Sequence, residues 1–149
     1  MTDIRFYHLE RQSLEQILPS LVTKALSNDH RIIIKTADDA QTQHLNNHLW
    51  SFDQNSFLPH GTKKEGHAEH QPVWITSEEE NPNNADVLIL TGGATTENMK
   101  EFTLCCEMLN GNDSEAVTAA RAQWKIYKEA GHEITYWQQG AKGWEKKSG

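Results

Sequence analysis

Near its end the chain carries Arg121, Lys125 and Lys128 within about two helical turns, bordered by Val117 and Trp124. Guanidinium and ammonium groups bind carboxylates, and an arginine can do so through two parallel hydrogen bonds. The indole and the valine beside them offer an apolar seat. The combination suits a ligand with carboxylates and one hydrophobic side chain, such as an acidic peptide end. At about 100° per residue, Ala116, Ala119, Ala120, Gln123, Ile126, Tyr127 and Ala130 share one mostly apolar arc, which is expected to face a sheet. Val117 and Trp124 fall at the edge of that arc, and the three cations lie directly beyond it. The plainer alternative is an amphipathic helix whose cations are solvated.

The charge distribution sharpens the first reading. The net charge is −7, yet residues 121–149 hold six basic and three acidic residues, a net of +3. Residues 1–120 hold eight and eighteen, a net of −10. A nucleic acid suits this patch less than an acidic peptide, because the acidic body repels phosphate at longer range.

Other constellations carry weaker chemistry. Thr91-Gly92-Gly93 follows a strand and precedes a helix, the place for a phosphate loop, but neither G-x-G-x-x-G nor G-K-[ST] is present, so a tight turn is expected. His44 and His48 share a helix face, and His60, His67 and His70 fall in a loop. The helical pair reads H-L-N-N-H and lacks the glutamate of H-E-x-x-H, so no metal is assigned. Glu78, Glu79 and Glu80 are consecutive and read as a solvated acidic turn. Cys105 and Cys106 are adjacent, which disfavours a bridge, and their apolar surroundings suit buried thiols. Trp50, Phe52, Phe57 and Leu58 stand in or beside a polar loop, either as a satellite core or as an exposed docking surface. No catalytic residue and no cofactor emerge.

The elements that must position these residues follow from periodicity. Ile4–Leu9, Arg31–Thr36, Pro72–Thr76, Ala85–Leu90, Phe102–Leu109 and Glu133–Gln139 read as strands. Ser13 and Gln16 form a capping-box pair, but Pro19 conflicts with a regular helix from there. Either a turn precedes a helix starting near Leu18, or the helix bends. Ala37–Trp50 reads as a polar helix and Thr95–Glu101 as a short one. The last helix is expected to open on the capping pair Asn112 and Glu115 and to stop at Gly131. A long loop is expected at about 51–72 and a loose tail at about 140–149. Strands alternating with helices imply a single α/β domain over residues 1–149. Its expected form is a three-layer-like sandwich with a central, largely parallel sheet, helices on both faces and Rossmann-like topology. No apolar run approaches the roughly 20 residues of a membrane span, and the opening has no apolar signal region, so a cytoplasmic protein is expected.

Taken in order, the quoted residues resemble the chi subunit family of bacterial DNA polymerase III holoenzyme. The likeness runs through Phe6-Tyr7-His8-Leu9, Leu49-Trp50, Ser56-Phe57-Leu58-Pro59-His60 and Gln71-Pro72-Val73-Trp74-Ile75-Thr76. It continues through Asn83-Asn84-Ala85-Asp86-Val87-Leu88, Ala120-Arg121-Ala122-Gln123-Trp124-Lys125, Ala130-Gly131-His132-Glu133 and Tyr136-Trp137. The form is similar to the alphaproteobacterial branch, in which F-L-P-H-G and a Y-W-Q-Q ending occur together.

The resemblance implies a non-catalytic adaptor that links the clamp-loader assembly, through the psi subunit, to single-stranded DNA-binding protein. That protein's acidic tail ends in a Pro-Phe carboxylate and docks, in the family, on basic residues beside an aromatic pocket of the last helix. Arg121, Trp124, Lys125 and Lys128 fall on those positions. The psi-facing surface carries over to Trp50, Phe57, Leu58 and Pro59, where an equivalent clamp-loader or helicase-like partner is the alternative. Two departures stand out. Val117 replaces a further basic residue of the enterobacterial form, and Trp124 replaces its tyrosine. The rival readings are a nucleotide- or metal-dependent α/β enzyme, and direct single-stranded DNA binding by the basic tail with Trp137 or Trp144.

Overall fold

Short β-branched and leucine-rich runs are buried on both faces, which is the pattern of inner strands in a covered parallel sheet. The computed structural model describes residues 2–51, 60–64, 66–140 and 143–148. In chain order the elements are β1 (Asp3–Leu9), α1 (Leu14–Ser27), β2 (Ile32–Lys35), α2 (Asp39–Ser51), β3 (Val73–Thr76), β4 (Val87–Leu90), β5 (Leu104–Asn110), α3 (Ser114–Glu129), β6 (Glu133–Gly140) and β7 (Gly143–Ser148). The sheet order is β3-β2-β4-β5-β1-β6-β7. All neighbours pair in parallel except β6 and β7. Leu18, Val22, Leu45 and Leu49 bring α1 and α2 onto one face, against Ile32, Ile34 and Ile75. Ala120 and Tyr127 bring α3 onto the other, against Ile4, Phe6 and Leu88. The α/β sandwich expected from the alternation is therefore present. No helix among the described residues is long and apolar enough to cross a membrane.

The structure corrects several local expectations. First, α1 is one helix through Pro19, and its capping box is formed by Ser13 and Gln16. Proline has no N–H to give the carbonyl four residues back. That carbonyl, on Glu15, instead faces His48 Nε2 of α2 at 2.6 Å. His44 Nε2 meets the Glu15 carboxylate at 3.1 Å, so the helical histidine pair clasps α1.

Second, the acidic turn is not merely solvated. Glu79 pairs with Lys35 and accepts from Thr96 and from the Glu97 N–H. Partial burial opposes its ionisation, yet these partners hold it below the usual carboxylate range. Glu80 accepts from Trp74 Nε1 at 3.2 Å and from Thr76 at 2.6 Å.

Third, Gly143–Ser148 is not a loose tail but an antiparallel edge strand, pinned where the Trp144 ring meets Tyr7 at 5.1 Å. Only Met99–Glu101, a 3-10 turn, stands where a short helix was expected from Thr95. Part of the expected long loop is also anchored, because Gly61 bridges to Trp74 beside β3.

Candidate functional site

The last helix starts one residue later than its sequence suggests. Asp113, not Asn112, is the N-cap, and its Oδ1 accepts from the Glu115 N–H at 3.0 Å. At the other end Gly131 has φ +86°, a conformation that glycine adopts without a Cβ penalty. The helix also sits at a different rotation. Ala120 and Tyr127 are buried, Val117 and Trp124 are half-buried, and Ile126 is 55% exposed. Val117 and Trp124 therefore belong to the packed face rather than its edge. The ring contacts of Trp124 account for the turn: its indole lies edge-on to Phe6 at 5.6 Å and to Tyr136 at 6.2 Å. Burying an aromatic ring against other rings gains more than burying the Ile126 side chain.

This rotation brings four of the five proposed tail-site residues to one groove. Val117, Arg121, Trp124 and Lys125 form one wall, and His8, Tyr136 and Gln138 form the rest of a depression of about 540 Å³. β1 and β6 are adjacent and in register, with Phe6 opposite Tyr136 and His8 opposite Gln138. The Phe6 and Tyr136 rings stack at 6.0 Å, which supports the wall from behind. The Tyr136 hydroxyl is hydrogen-bonded to His8 Nδ1, and His8 Nε2 lies 3.0 Å from Glu10. Burial pushes the Tyr136 phenol up, and the Arg121 charge pulls against it. Arg121, Lys125 and Lys128 are exposed and form no ion pair among the described residues. Lys128 stands outside the groove lining, one turn beyond Trp124. The arrangement can seat a ligand's apolar side chain against the rings while the ligand's carboxylates meet exposed cations that form no ion pair among the described residues.

The other candidates fall elsewhere. Phe57, Leu58 and Pro59 lie outside the described residues; Trp50 falls in the last turn of α2. Gly92 and Gly93 both have positive φ and make a tight turn, where a Cβ on Gly92 would meet Gln41 at 2.4 Å. Cys105 and Cys106 are buried on opposite faces, and burial pushes the Cys106 thiol up to about 12, far from a reactive thiolate. Trp137 is half-buried with its Nε1 on Thr135, and the half-buried Trp144 ring packs edge-on with Tyr7. His8, Tyr136 and Gln138 were not foreseen. Alternation in each strand puts the right residues on one face, but nothing in the sequence says that the first and sixth strands are neighbours.

Residues 1–135 match the family described as DNA polymerase III chi subunit, HolC. A 90-residue stretch is 33% identical to the "Probable DNA polymerase III subunit chi" of Rickettsia prowazekii, covering 60% of this chain and 54% of that protein. The "DNA polymerase III subunit chi" of Pseudomonas aeruginosa is 26% identical over 137 residues, 90% of this chain and 94% of that protein. The Escherichia coli protein of the same description is 25% identical over 142 residues, 90% of this chain and 96% of that protein. With nine-tenths of its length covered by this family match, the chain belongs to the DNA polymerase III chi subunit family.

Proposed function

We propose that this protein is an accessory subunit of a DNA polymerase III assembly, working in the cytoplasm as an adaptor without catalysis or cofactor. In this reading the groove between α3 and β6 captures the acidic C-terminal tail of single-stranded DNA-binding protein. One observation carries it: an aromatic wall and exposed cations with no ion pair among the described residues share one edge of α3. The tail's terminal ring packs against Trp124, Val117 and Tyr136. Its carboxylates meet Arg121 and Lys125, and upstream acidic residues meet Lys128. Each contact is weak, and many tails offered along coated DNA raise the effective concentration. The segment around Trp50, Phe57, Leu58 and Pro59 is assigned to psi, or to an equivalent clamp-loader or helicase-like partner.

Titrating a labelled tail peptide with the protein, read by fluorescence polarisation, tests the tail reading. The expected result is salt-sensitive binding that is lost when the terminal Phe is deleted. Arg121→Ala is expected to weaken it about 10- to 150-fold, the range for hydrogen bonds to a charged group. Unchanged affinity in that variant removes the assignment.

A further inference from the structure

The strand wall of the groove holds a chain of polar contacts that the apolar seat and the helix cations leave unused. His8 and Tyr136 both line the groove, and the Tyr136 hydroxyl is hydrogen-bonded to His8 Nδ1. His8 Nε2 lies 3.0 Å from Glu10 Oε1. That oxygen also accepts from Gln138 Nε2 at 2.6 Å, and the Glu10 N–H donates to Gln139, so the carboxylate is held in place. The imidazole is buried and packs against the bare backbone of Gly111, where a Cβ would stand 2.1 Å from the ring.

These contacts fix the protons. A bare Nε2 lone pair 3.0 Å from a carboxylate oxygen would be repelled, so the proton of the neutral ring sits on Nε2. Nδ1 is then an acceptor, and the Tyr136 hydroxyl must donate to it. Only oxygen lone pairs are left for the groove, and they repel a carboxylate. A second proton on the ring reverses this. Nδ1–H now donates to the Tyr136 oxygen, and the O–H turns to another acceptor. The Glu10 carboxylate offsets the new charge, as a buried imidazolium requires. Arg121 stands near enough for its charge to act on the Tyr136 phenol, so a carboxylate seated on Arg121 is a neighbour of that hydroxyl.

We propose that His8 is a positioning residue for the tail's terminal carboxylate: the protonated ring turns the Tyr136 O–H into the groove as a donor beside Arg121. A terminal phenylalanine holds its ring and its carboxylate on one Cα, so a ring packed on Trp124 and Tyr136 brings that carboxylate to the hydroxyl. The inference rests on the tail-binding reading and adds a proton to it. Binding draws a proton from solvent onto Nδ1, and no other covalent bond is made or broken.

The groups facing His8 are Tyr136 from β6, Glu10 beyond β1, and Arg121 and Lys125 from α3 across the groove. Glu107 of β5 shares that sheet face but is engaged with Tyr127. Histidine is the side-chain type that changes charge between about pH 5 and 8, and His8 is the one histidine in the groove lining. Tail affinity should therefore rise about tenfold from pH 8 to pH 6, the low end for a hydrogen bond to a charged group.

The test is calorimetric titration of the tail peptide into the full chain at both pH values, in two buffers of different ionisation heat. Tighter binding at pH 6, with net proton uptake, is expected. Tyr136→Phe, which keeps the ring, and His8→Gln, which keeps a neutral polar side chain, should each abolish the uptake and give one affinity at both pH values. A tail peptide ending in an amide should do the same with the wild type, a comparison that needs no folded variant. A loss of packing alone would weaken binding equally at both pH values and leave the uptake. Failure of the wild type to bind the peptide at either pH removes the tail reading and this one with it. Equal wild-type affinity at pH 6 and pH 8, or proton uptake that survives in Tyr136→Phe or with the amide peptide, overturns the His8 assignment alone.

Discussion

A buried carboxylate on β5, Glu107, carries a prediction about stability. Its carboxyl is buried between β5 and α3, and burial raises it from 4.5 to about 7. The fold therefore favours the neutral acid. Its contribution is fully present below about pH 4.5, drains away as the pH climbs, and is gone above about pH 7. The preference for the neutral acid corresponds to about 3 kcal/mol. Glu107→Gln keeps the shape and cannot ionise. Relative to wild type, the variant should gain about 1 kcal/mol at pH 5, about 2 at pH 6 and about 3 at pH 8, apart from a constant offset. For a domain of this size that is a rise in Tm of roughly 6–12 °C at the alkaline end. Urea unfolding of both proteins at pH 5, 6, 7 and 8, followed by tryptophan fluorescence, measures the difference directly. A difference that stays flat from pH 5 to pH 8 would show that Glu107 titrates as an ordinary carboxylate, and the reasoning from burial would fail.

Further expectations concern single contacts. His48→Ala leaves the Glu15 carbonyl, already deprived of a donor by Pro19, without its partner from α2; the expected loss is about 1–2 kcal/mol in urea unfolding, and Pro19→Ala should recover part of it. Trp144→Ala removes the ring contact with Tyr7, so unfolding should cost about 1 kcal/mol less and hydrogen exchange of the β6 amides should quicken. Lys125→Glu should weaken tail-peptide binding more than tenfold and flatten its salt dependence, measured by polarisation at two ionic strengths, because an attractive charge becomes a repulsive one.

Much of the frame was legible because it rests on local rules. The run Ile32-Ile33-Ile34 has no amphipathic alternative and could only be an inner strand. Gly131 stops α3 for a reason internal to the backbone. What escaped depends on partners distant in sequence. Pro19 looked like a helix break until His48, on another helix, supplied a donor to the freed carbonyl. Glu79 and Glu80 looked solvated because Lys35 and Trp74 lie elsewhere in the chain. The polar G-W-E-K-K-S segment hid an edge strand, since edge strands carry charge and show little apolar alternation. At the groove, the helix residues could be placed from a wheel, although the true rotation was set by the rings of Phe6 and Tyr136. The strand half of the groove depends on the adjacency of β1 and β6, which only the topology reveals.

The outermost strand has a consequence for how the chain can be altered. β6 lines the groove with Tyr136 and Gln138, and β7 occupies its far edge. Removing residues 143–148 would leave a row of bare N–H and C=O groups on β6, a template onto which any extended segment could zip. A fused tag or a clipped terminus would therefore change two things together: the footing of the groove and the self-association of the protein. A truncated chain that lost peptide affinity and formed aggregates would be reporting one event, an uncovered β6, rather than two separate defects.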